Sequence, residues 1–261
     1  CALAGNQSPA VSETPLATRT GVPTRTRQHT ITLSPSPSPS PTFTPTPTPL
    51  VAPPTNGIPQ VEMLIVLNYA DKRMTVTQQV TLVNDSPDAW DELVLAVPPA
   101  YRPGVFALRT ATLTTPWESS LTTTVLSNTM LHVEAPVPIA PGEAVAVALV
   151  YGVSIPPVDA DTWLPLGNLG AGERLIQAGD WHPTLVPYRA GEGWQTWEYI
   201  LIGDPNIYSI AAYNVTLRTD TAVVVAAPGF VSQKGQERRY RLDQARMFAF
   251  LASPEYRIIR A

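Results

Sequence analysis

From about residue 59 onward, apolar and polar residues alternate along the chain in short runs. In the first run every second residue from Val61 to Tyr69 is apolar, and after a turn at Asp71 and Lys72 a second run alternates from Met74 onward. Threonines occupy most of the polar positions of the second run. A period of two over such lengths predicts an antiparallel hairpin with one buried face.

Further runs of this kind follow along the rest of the chain. They lie at residues 92–97, 105–113, 121–126, 130–134 and 144–151, and again at 197–202, 208–217, 222–227, 238–242 and 247–251. Turn-forming sequences such as Asn84-Asp85-Ser86-Pro87 and Pro141-Gly142 separate them. No segment combines helical periodicity with helix caps. The pattern therefore predicts an all-β fold, an antiparallel β-sandwich.

Residues 1–58 differ from this domain in composition. Residues 2–58 contain one acidic side chain, three arginines and a single aromatic residue, Phe43. Such a segment buries too little to offset its loss of conformational entropy, so we expect a disordered tail. Ser-Pro and Thr-Pro pairs from Ser34 to Pro49 favour polyproline II, at about 3.1 Å per residue, and hence a stalk of roughly 50 Å. A spacer, a polyproline ligand and an O-glycosylated stalk all fit this Pro/Ser/Thr-rich composition.

The remaining residues, 59–261, form the predicted β-sandwich domain and carry most of the charge. They hold twenty acidic residues against fourteen Lys and Arg, a formal balance of −6. Nucleic-acid binding requires a basic surface, so no nucleic-acid partner is expected. No run of eighteen apolar residues occurs, and a spanning helix is therefore not predicted.

The single cysteine, Cys1, stands directly ahead of the Pro-rich tail. This layout resembles a mature bacterial lipoprotein, whose signal peptide is removed just before a lipid-modified cysteine. Two or three acyl chains, at about 0.8 kcal/mol per buried methylene, would hold the protein on a membrane. We therefore expect lipidation of Cys1 and a location at the cell surface or in the periplasm. An arbitrary boundary or a free thiol at this residue is the alternative, and an internal disulfide is excluded.

An aromatic-rich layer of loops is predicted at residues 155–207, which contain four of the six tryptophans. Aromatic side chains in loops often anchor ligands. The candidate binding residues are Trp181, His182, Tyr188, Trp194 and Trp197. Packing over a sheet edge is the competing explanation, because a long loop layer without disulfides must be held by its own side chains.

Three other groups of residues have some of the features of catalytic or metal sites. His132 and Glu134 share one face of a predicted strand, as metal ligands can, but no third ligand is evident. Asp180 and His182 could orient a base, yet no nucleophile motif accompanies them. The acidic stretch Asp85, Asp88, Asp91 and Glu92 lacks the ligand pattern of a calcium loop. The sequence thus predicts no catalytic residues and no metal site in this chain.

The order of several segments resembles the amino-terminal domain of aminopeptidase N-type zinc metallopeptidases. The segments that carry the resemblance are Ile176-Gln177-Ala178-Gly179-Asp180-Trp181-His182-Pro183, Pro187-Tyr188 and Gly193-Trp194, followed by Tyr213-Asn214-Val215-Thr216-Leu217, Val225-Ala226-Ala227-Pro228-Gly229 and Arg246-Met247-Phe248-Ala249-Phe250. The match would cover residues 59–261. It rests on pattern and order, without an invariant signature.

This resemblance implies a saddle-shaped β-sandwich that packs against a separate or downstream zinc-binding catalytic domain. In the family that domain carries the His-Glu-x-x-His helix, and no such helix is present in this chain. We therefore expect a membrane-tethered module without catalysis or cofactor of its own, which docks a catalytic metallopeptidase domain or partner and helps to shape a peptide-binding surface. The alternative is a surface-displayed carbohydrate- or protein-binding lipoprotein that uses exposed tryptophans. A hydrolase is the least supported reading.

The two main hypotheses make different structural predictions. The docking hypothesis predicts an exposed apolar face on the late strands and largely buried tryptophans. The binding hypothesis predicts coplanar tryptophans open to solvent.

Overall fold

The predicted hairpin forms the centre of the largest sheet. In the computed structural model, which describes residues 57–115, 124–158, 168–200 and 206–258, strands β1 (Gln60–Asn68) and β2 (Arg73–Val83) pair antiparallel. Asn68 and Asp71 close the turn between them through reciprocal 2.8 Å hydrogen bonds, and Lys72 takes a positive φ of 55°. The alternating apolar residues face the core, because successive side chains of a strand point to opposite faces.

Seven strands make up this main sheet, in the order β15-β16-β13-β1-β2-β7-β4. The five strands beyond the hairpin are β4 (Phe106–Thr115), β7 (Ala144–Ser154), β13 (Ala211–Thr219), β15 (Phe230–Lys234) and β16 (Glu237–Ala245). All pairs are antiparallel except β1 with β13, which is parallel. This one pair joins the start of the domain to a strand about 150 residues later, so its partner could not be read from local alternation.

A second, four-stranded sheet packs across the core from the main sheet. Its order is β10-β3-β6-β5, with strands β3 (Trp90–Ala96), β5 (Thr124–Ser127), β6 (Met130–Ile139) and β10 (Thr184–Leu185). Side chains from both sheets form one hydrophobic core that includes Ile65, Val147, Leu93 and Leu131. Two facing sheets around one core define a β-sandwich.

The second sheet is buried on part of its other face as well. Val94 and Ala96 of β3 form a smaller core with Met130, Val186 and Tyr208. The uninterrupted apolar run at residues 93–97 therefore has a structural reason, because a strand covered on both faces loses its alternation.

Two smaller sheets complete the described part of the chain. A four-stranded sheet has the order β14-β17-β9-β8, and a two-stranded ribbon pairs β11 with β12. These strands are β8 (Leu169–Ala171), β9 (Ile176–Ala178), β11 (Tyr188–Arg189), β12 (Gly193–Trp194), β14 (Val224–Ala226) and β17 (Phe250–Ser253). A short 3₁₀ turn, Pro98–Tyr101, follows β3, and no helix in the described ranges has the length and apolar character needed to cross a bilayer.

The all-β prediction is confirmed, with two corrections to the strand positions. The segment predicted as a strand at 197–202 is not one over residues 197–200, and residues 201–202 lie outside the described part of the chain. The strand predicted at 247–251 begins only at Phe250, because Phe248 is held by the loop around His182. The tail predicted to be disordered lies almost entirely outside the described residues.

Candidate binding cleft and exposed sheet edge

Trp181 and His182 lie inside the sandwich. Trp181 has no exposed surface and donates from Nε1 to the carbonyl oxygen of Phe248 at 2.8 Å. His182 is 1% exposed, and its Nε2 accepts the amide hydrogen of Phe248 at 3.2 Å. Since Nε2 is an acceptor here, the ring proton resides on Nδ1, which lies 3.0 Å from the carbonyl oxygen of Pro183. Both side chains fasten the loop to the chain before β17, and neither is accessible to a ligand.

Burial determines the charge state of His182. Loss of solvation lowers the pKa of this imidazole from 6.5 to about 4, and the hydrogen bond to Pro183 offsets only part of that effect. The ring is therefore neutral at physiological pH. Asp180 does not serve it as an orienting carboxylate, because its two oxygens accept from Tyr208 Oη at 2.9 Å and Asn168 Nδ2 at 2.6 Å.

A buried glutamine that the sequence analysis missed completes this network. Gln78 of β2 is 1% exposed, accepts a 2.7 Å hydrogen bond from Tyr151 Oη, and donates to the carbonyl oxygen of Pro183 at 2.7 Å. Burial raises the pKa of the Tyr151 hydroxyl, which stays protonated and acts as a donor. The sequence signal for this network is the position of Gln78, a polar residue on the buried face of β2 between Val76 and Val80. The network joins the main sheet to the segment around His182.

Tyr188 and Trp194, by contrast, reach the surface and line a cleft of about 610 Å³. They belong to the ribbon of β11 and β12, where they pair directly. The opposite wall is the face of the second sheet that points away from the main core, and it includes Glu92, His132 and Glu134. In the sequence these residues fall into three separate groups, and the fold brings them to one place.

Three aromatic rings form the apolar wall of the cleft. The Trp90 ring centroid lies 5.2 Å from that of Tyr188 and 5.0 Å from that of Trp194, with interplanar angles of 46° and 57°. Tyr188 and Trp194 meet edge to face at 79°. Trp90 is only 3% exposed, and Trp194 is fixed by a 3.0 Å hydrogen bond from its Nε1 to the carbonyl oxygen of Glu92. The rings are rigidly held, but they are not coplanar and do not form a flat stacking platform.

The polar wall of the cleft is acidic. Glu92 and Glu134 are direct partners in the register of β3 and β6, and Asp91 adds a third carboxylate. His132 Nδ1 lies 2.9 Å from Glu92 Oε2, and the lining residues include neither lysine nor arginine. With His132 neutral, the lining carries a formal charge of −3. Within the described ranges no three His, Cys, Asp or Glu side chains are grouped as metal ligands.

The remaining candidate residues lie outside the cleft. Trp197 packs on the smaller core, meets Tyr208 edge to face at 5.9 Å, and donates to Asn206 Oδ1 at 3.2 Å. Asp88 accepts from Tyr188 Oη at 3.2 Å and from the Gly191 amide at 2.7 Å, so it positions the ribbon. Cys1 lies outside the described residues. Binding by Tyr188, Trp194 and Trp197 stays a prediction.

A second exposed feature is the edge of the main sheet. Strand β15 ends the strand order of that sheet, and all five of its residues are exposed. Two of them are large and apolar, Phe230 at 58% and Val231 at 61% exposure. An edge strand presents unpaired backbone groups on its outer side, which natural proteins usually cover or protect with charges. Here the single charge on the strand is Lys234, at its far end.

Gly229 makes this edge strand possible. Its φ is +72°, and an added Cβ would overlap the carbonyl oxygen of Arg241 on β16. The Arg241 amide also donates to the Gly229 carbonyl oxygen at 2.7 Å. Only glycine combines this left-handed conformation with so close an approach to the neighbouring strand.

Comparison with known proteins gives matches only among solved structures. No protein-family model matches the sequence, and no curated protein matches it. An M1 zinc metallopeptidase mutant from Deinococcus radiodurans, bound to a Tyr-Ser-Ala substrate, is 13% identical with a TM-score of 0.47, and the match covers 75% of this chain and 42% of that chain. The M1 zinc metallopeptidase from the same organism is 12% identical with a TM-score of 0.47, and the match covers 75% of this chain and 41% of that chain. A two-domain M1 zinc metallopeptidase mutant bound to L-tryptophan is 13% identical with a TM-score of 0.47, and the match covers 76% of this chain and 43% of that chain. The chain thus spans less than half the length of each of these three structures.

Proposed function

We propose that this chain is a non-catalytic β-sandwich module that docks a protein partner at the β15 edge of its main sheet. The observation that carries the proposal is that all five residues of β15 are exposed, among them the large apolar Phe230 and Val231. A partner that adds a strand there would pair the free backbone groups and cover both apolar side chains. Following the resemblance seen in the sequence, the partner is a zinc metallopeptidase catalytic domain, and the docked surfaces together would shape a peptide-binding site.

The burial and orientation of the tryptophan rings favour docking over a carbohydrate-binding platform. Trp90 and Trp181 are buried, and Trp194 and Trp197 are half-buried, while Trp117 and Trp163 lie outside the described residues. Sugar platforms present flat, open aromatic faces, whereas the rings here are tilted against one another. Among the late strands, β15 carries two exposed large hydrophobic side chains, Phe230 and Val231, which supports the docking hypothesis.

The proposal extends to where the module works. The Pro-rich region before residue 59 would be a spacer, and lipid on Cys1 would tether it to a bacterial membrane at the cell surface or in the periplasm. In this arrangement zinc belongs to the partner's catalytic domain, and the chain itself needs no cofactor.

Site-specific photocrosslinking tests the docking surface. A photoreactive amino acid replaces Val231 in the full chain expressed in its native host, and a matched variant carries it at Thr75, an exposed position of β2 in the interior of the same sheet. The proposal expects a crosslink from position 231 to a single site on a domain whose sequence contains His-Glu-x-x-His, and none from position 75. Equal labelling from both positions, or no crosslink from position 231, would contradict it.

A substitution at Gly229 distinguishes the contribution of β15 backbone pairing from that of its apolar side chains. Gly229→Ala retains Phe230 and Val231 but prevents the close approach to Arg241, so β15 should no longer pair in register. A side chain in the left-handed conformation costs about 1–2 kcal/mol, so the population of paired β15, and with it the crosslink from position 231, should fall at least about fivefold. Crosslinking that is unaffected by Gly229→Ala would show that strand addition is not the mode of docking.

A further inference from the structure

The cleft between the β11–β12 ribbon and the second sheet has properties that docking at β15 does not use. It lies on a different sheet, it is about 610 Å³ in volume, and it combines a rigid aromatic wall with an acidic wall. Cavities of this size with a few convergent polar groups are typical of ligand sites.

The carboxylates of the cleft repel one another when no cation is bound between them. Glu92 and Glu134 are direct cross-strand partners, a position in which like charges repel. His132 lies within ion-pair distance of Glu92 only, and Glu134 has no ion pair among the residues that the structure describes. A positive charge beside Glu134 would relieve this repulsion.

The aromatic wall indicates which kind of cation fits. The Trp194 indole offers no oxygen ligand and the Tyr188 hydroxyl already donates to Asp88, whereas aromatic rings attract organic cations and pack against their apolar stems. The ring of Trp194 is anchored directly on the acidic strand, through its hydrogen bond to the Glu92 carbonyl oxygen. Aromatic and acidic surfaces are therefore adjacent, as an alkylammonium or guanidinium group on an apolar stem requires.

We infer that this cleft binds an organic cation, with Glu134 and Glu92 facing its charge and Trp194 and Tyr188 facing its stem. A lysine or arginine side chain of a peptide and a free alkylamine share this chemistry. The inference is independent of docking at β15, since the two surfaces belong to different sheets.

Nuclear magnetic resonance of the tryptophan indole groups provides the test, because Trp194 Nε1–H lies at the site. The probes are acetyl-Gly-Lys-Gly-amide, its neutral glutamine counterpart and n-butylammonium, each added to the full chain up to about 10 mM, the range that one ion pair and one aromatic contact support. We expect the Trp194 signal to shift with the lysine peptide and with butylammonium, and not with the glutamine peptide. Equal affinity for the two cations would mean that the side chain alone is recognised, and tighter binding of the peptide would indicate a peptide ligand.

Two variants give matched controls. Glu134→Gln should weaken lysine-peptide binding about threefold, while the midpoint of thermal unfolding stays the same or rises because cross-strand repulsion is removed. Glu173→Gln removes an exposed carboxylate that does not line the cleft and should change neither measurement. The inference is overturned if the glutamine peptide shifts Trp194 as much as the lysine peptide does, if Glu134→Gln binds with unchanged affinity, or if no cation shifts the signal.

Discussion

The buried imidazole of His182 makes the stability of the domain depend on pH in a defined window. Its pKa is about 4 in the folded protein and 6.5 when the chain is unfolded. Between these values the unfolded chain binds a proton that the folded chain does not, so the free energy of unfolding decreases as pH falls. Above pH 6.5 the imidazole is neutral in both states, and below pH 4 it is charged in both, so the effect is confined to this interval.

The size of the effect follows from the difference in pKa. Each pKa unit corresponds to about 1.4 kcal/mol, so protonation of the unfolded chain lowers the free energy of unfolding by roughly 3 kcal/mol between about pH 7 and pH 4. The neighbouring titratable group is Tyr213, whose ring centroid lies 5.9 Å away. Burial raises the pKa of that tyrosine, so it stays neutral throughout the window.

Urea unfolding of the full chain at several pH values measures this dependence. The matched variant is His182→Gln, whose side-chain oxygen can accept from the Phe248 amide but does not titrate. The variant should be less stable at neutral pH, and its loss of stability on acidification should be smaller than that of the unmodified chain by roughly 3 kcal/mol. Equal losses in both proteins, or a His182 ring that titrates near pH 6.5 by nuclear magnetic resonance, would refute the reasoning.

Three further predictions follow from the network, the proposed lack of catalysis and the proposed anchor. Gln78→Leu removes the hydrogen-bond acceptor of Tyr151 Oη and the donor to the Pro183 carbonyl oxygen. The free energy of unfolding should therefore fall by about 2–4 kcal/mol in urea titrations, and a change below about 0.5 kcal/mol would contradict the network. The purified chain should neither cleave aminoacyl-nitroanilides nor bind stoichiometric zinc by elemental analysis, and either activity would end the non-catalytic proposal. Mass spectrometry of protein from its own host should find an acylated Cys1 peptide, whereas an unmodified thiol would exclude the lipid anchor.

Local alternation predicted the strands whose two faces differ. The hairpin of β1 and β2 was clear because one face is buried and the other carries threonines. It could not predict the parallel pairing of β1 with β13, since no local feature specifies a partner about 150 residues away. The edge strand β15 was missed because all of its residues are exposed, so it has no buried face to produce a pattern.

The candidate site was only partly predictable, because no local feature of the sequence specifies which distant segments meet. Tyr188 and Trp194 were identified as aromatic residues in a loop layer, and His132 with Glu134 as a pair on one strand face, but the cleft depends on strand register and on the ribbon that folds over it. Trp181 and His182 belong to the same aromatic-rich segment, yet both are buried, and Trp181 is part of the main core. Composition did not distinguish these two environments.

The central claim, that β15 is the docking edge, is tested most directly by amide hydrogen exchange. The full chain is measured alone and in complex with the protein that crosslinks at position 231. Strand addition predicts that those amides of Phe230–Lys234 that point away from β16 become strongly protected in the complex, because these free groups acquire hydrogen-bond partners. If these amides exchange equally fast with and without the partner, while protection appears elsewhere on the domain, the account of docking is wrong.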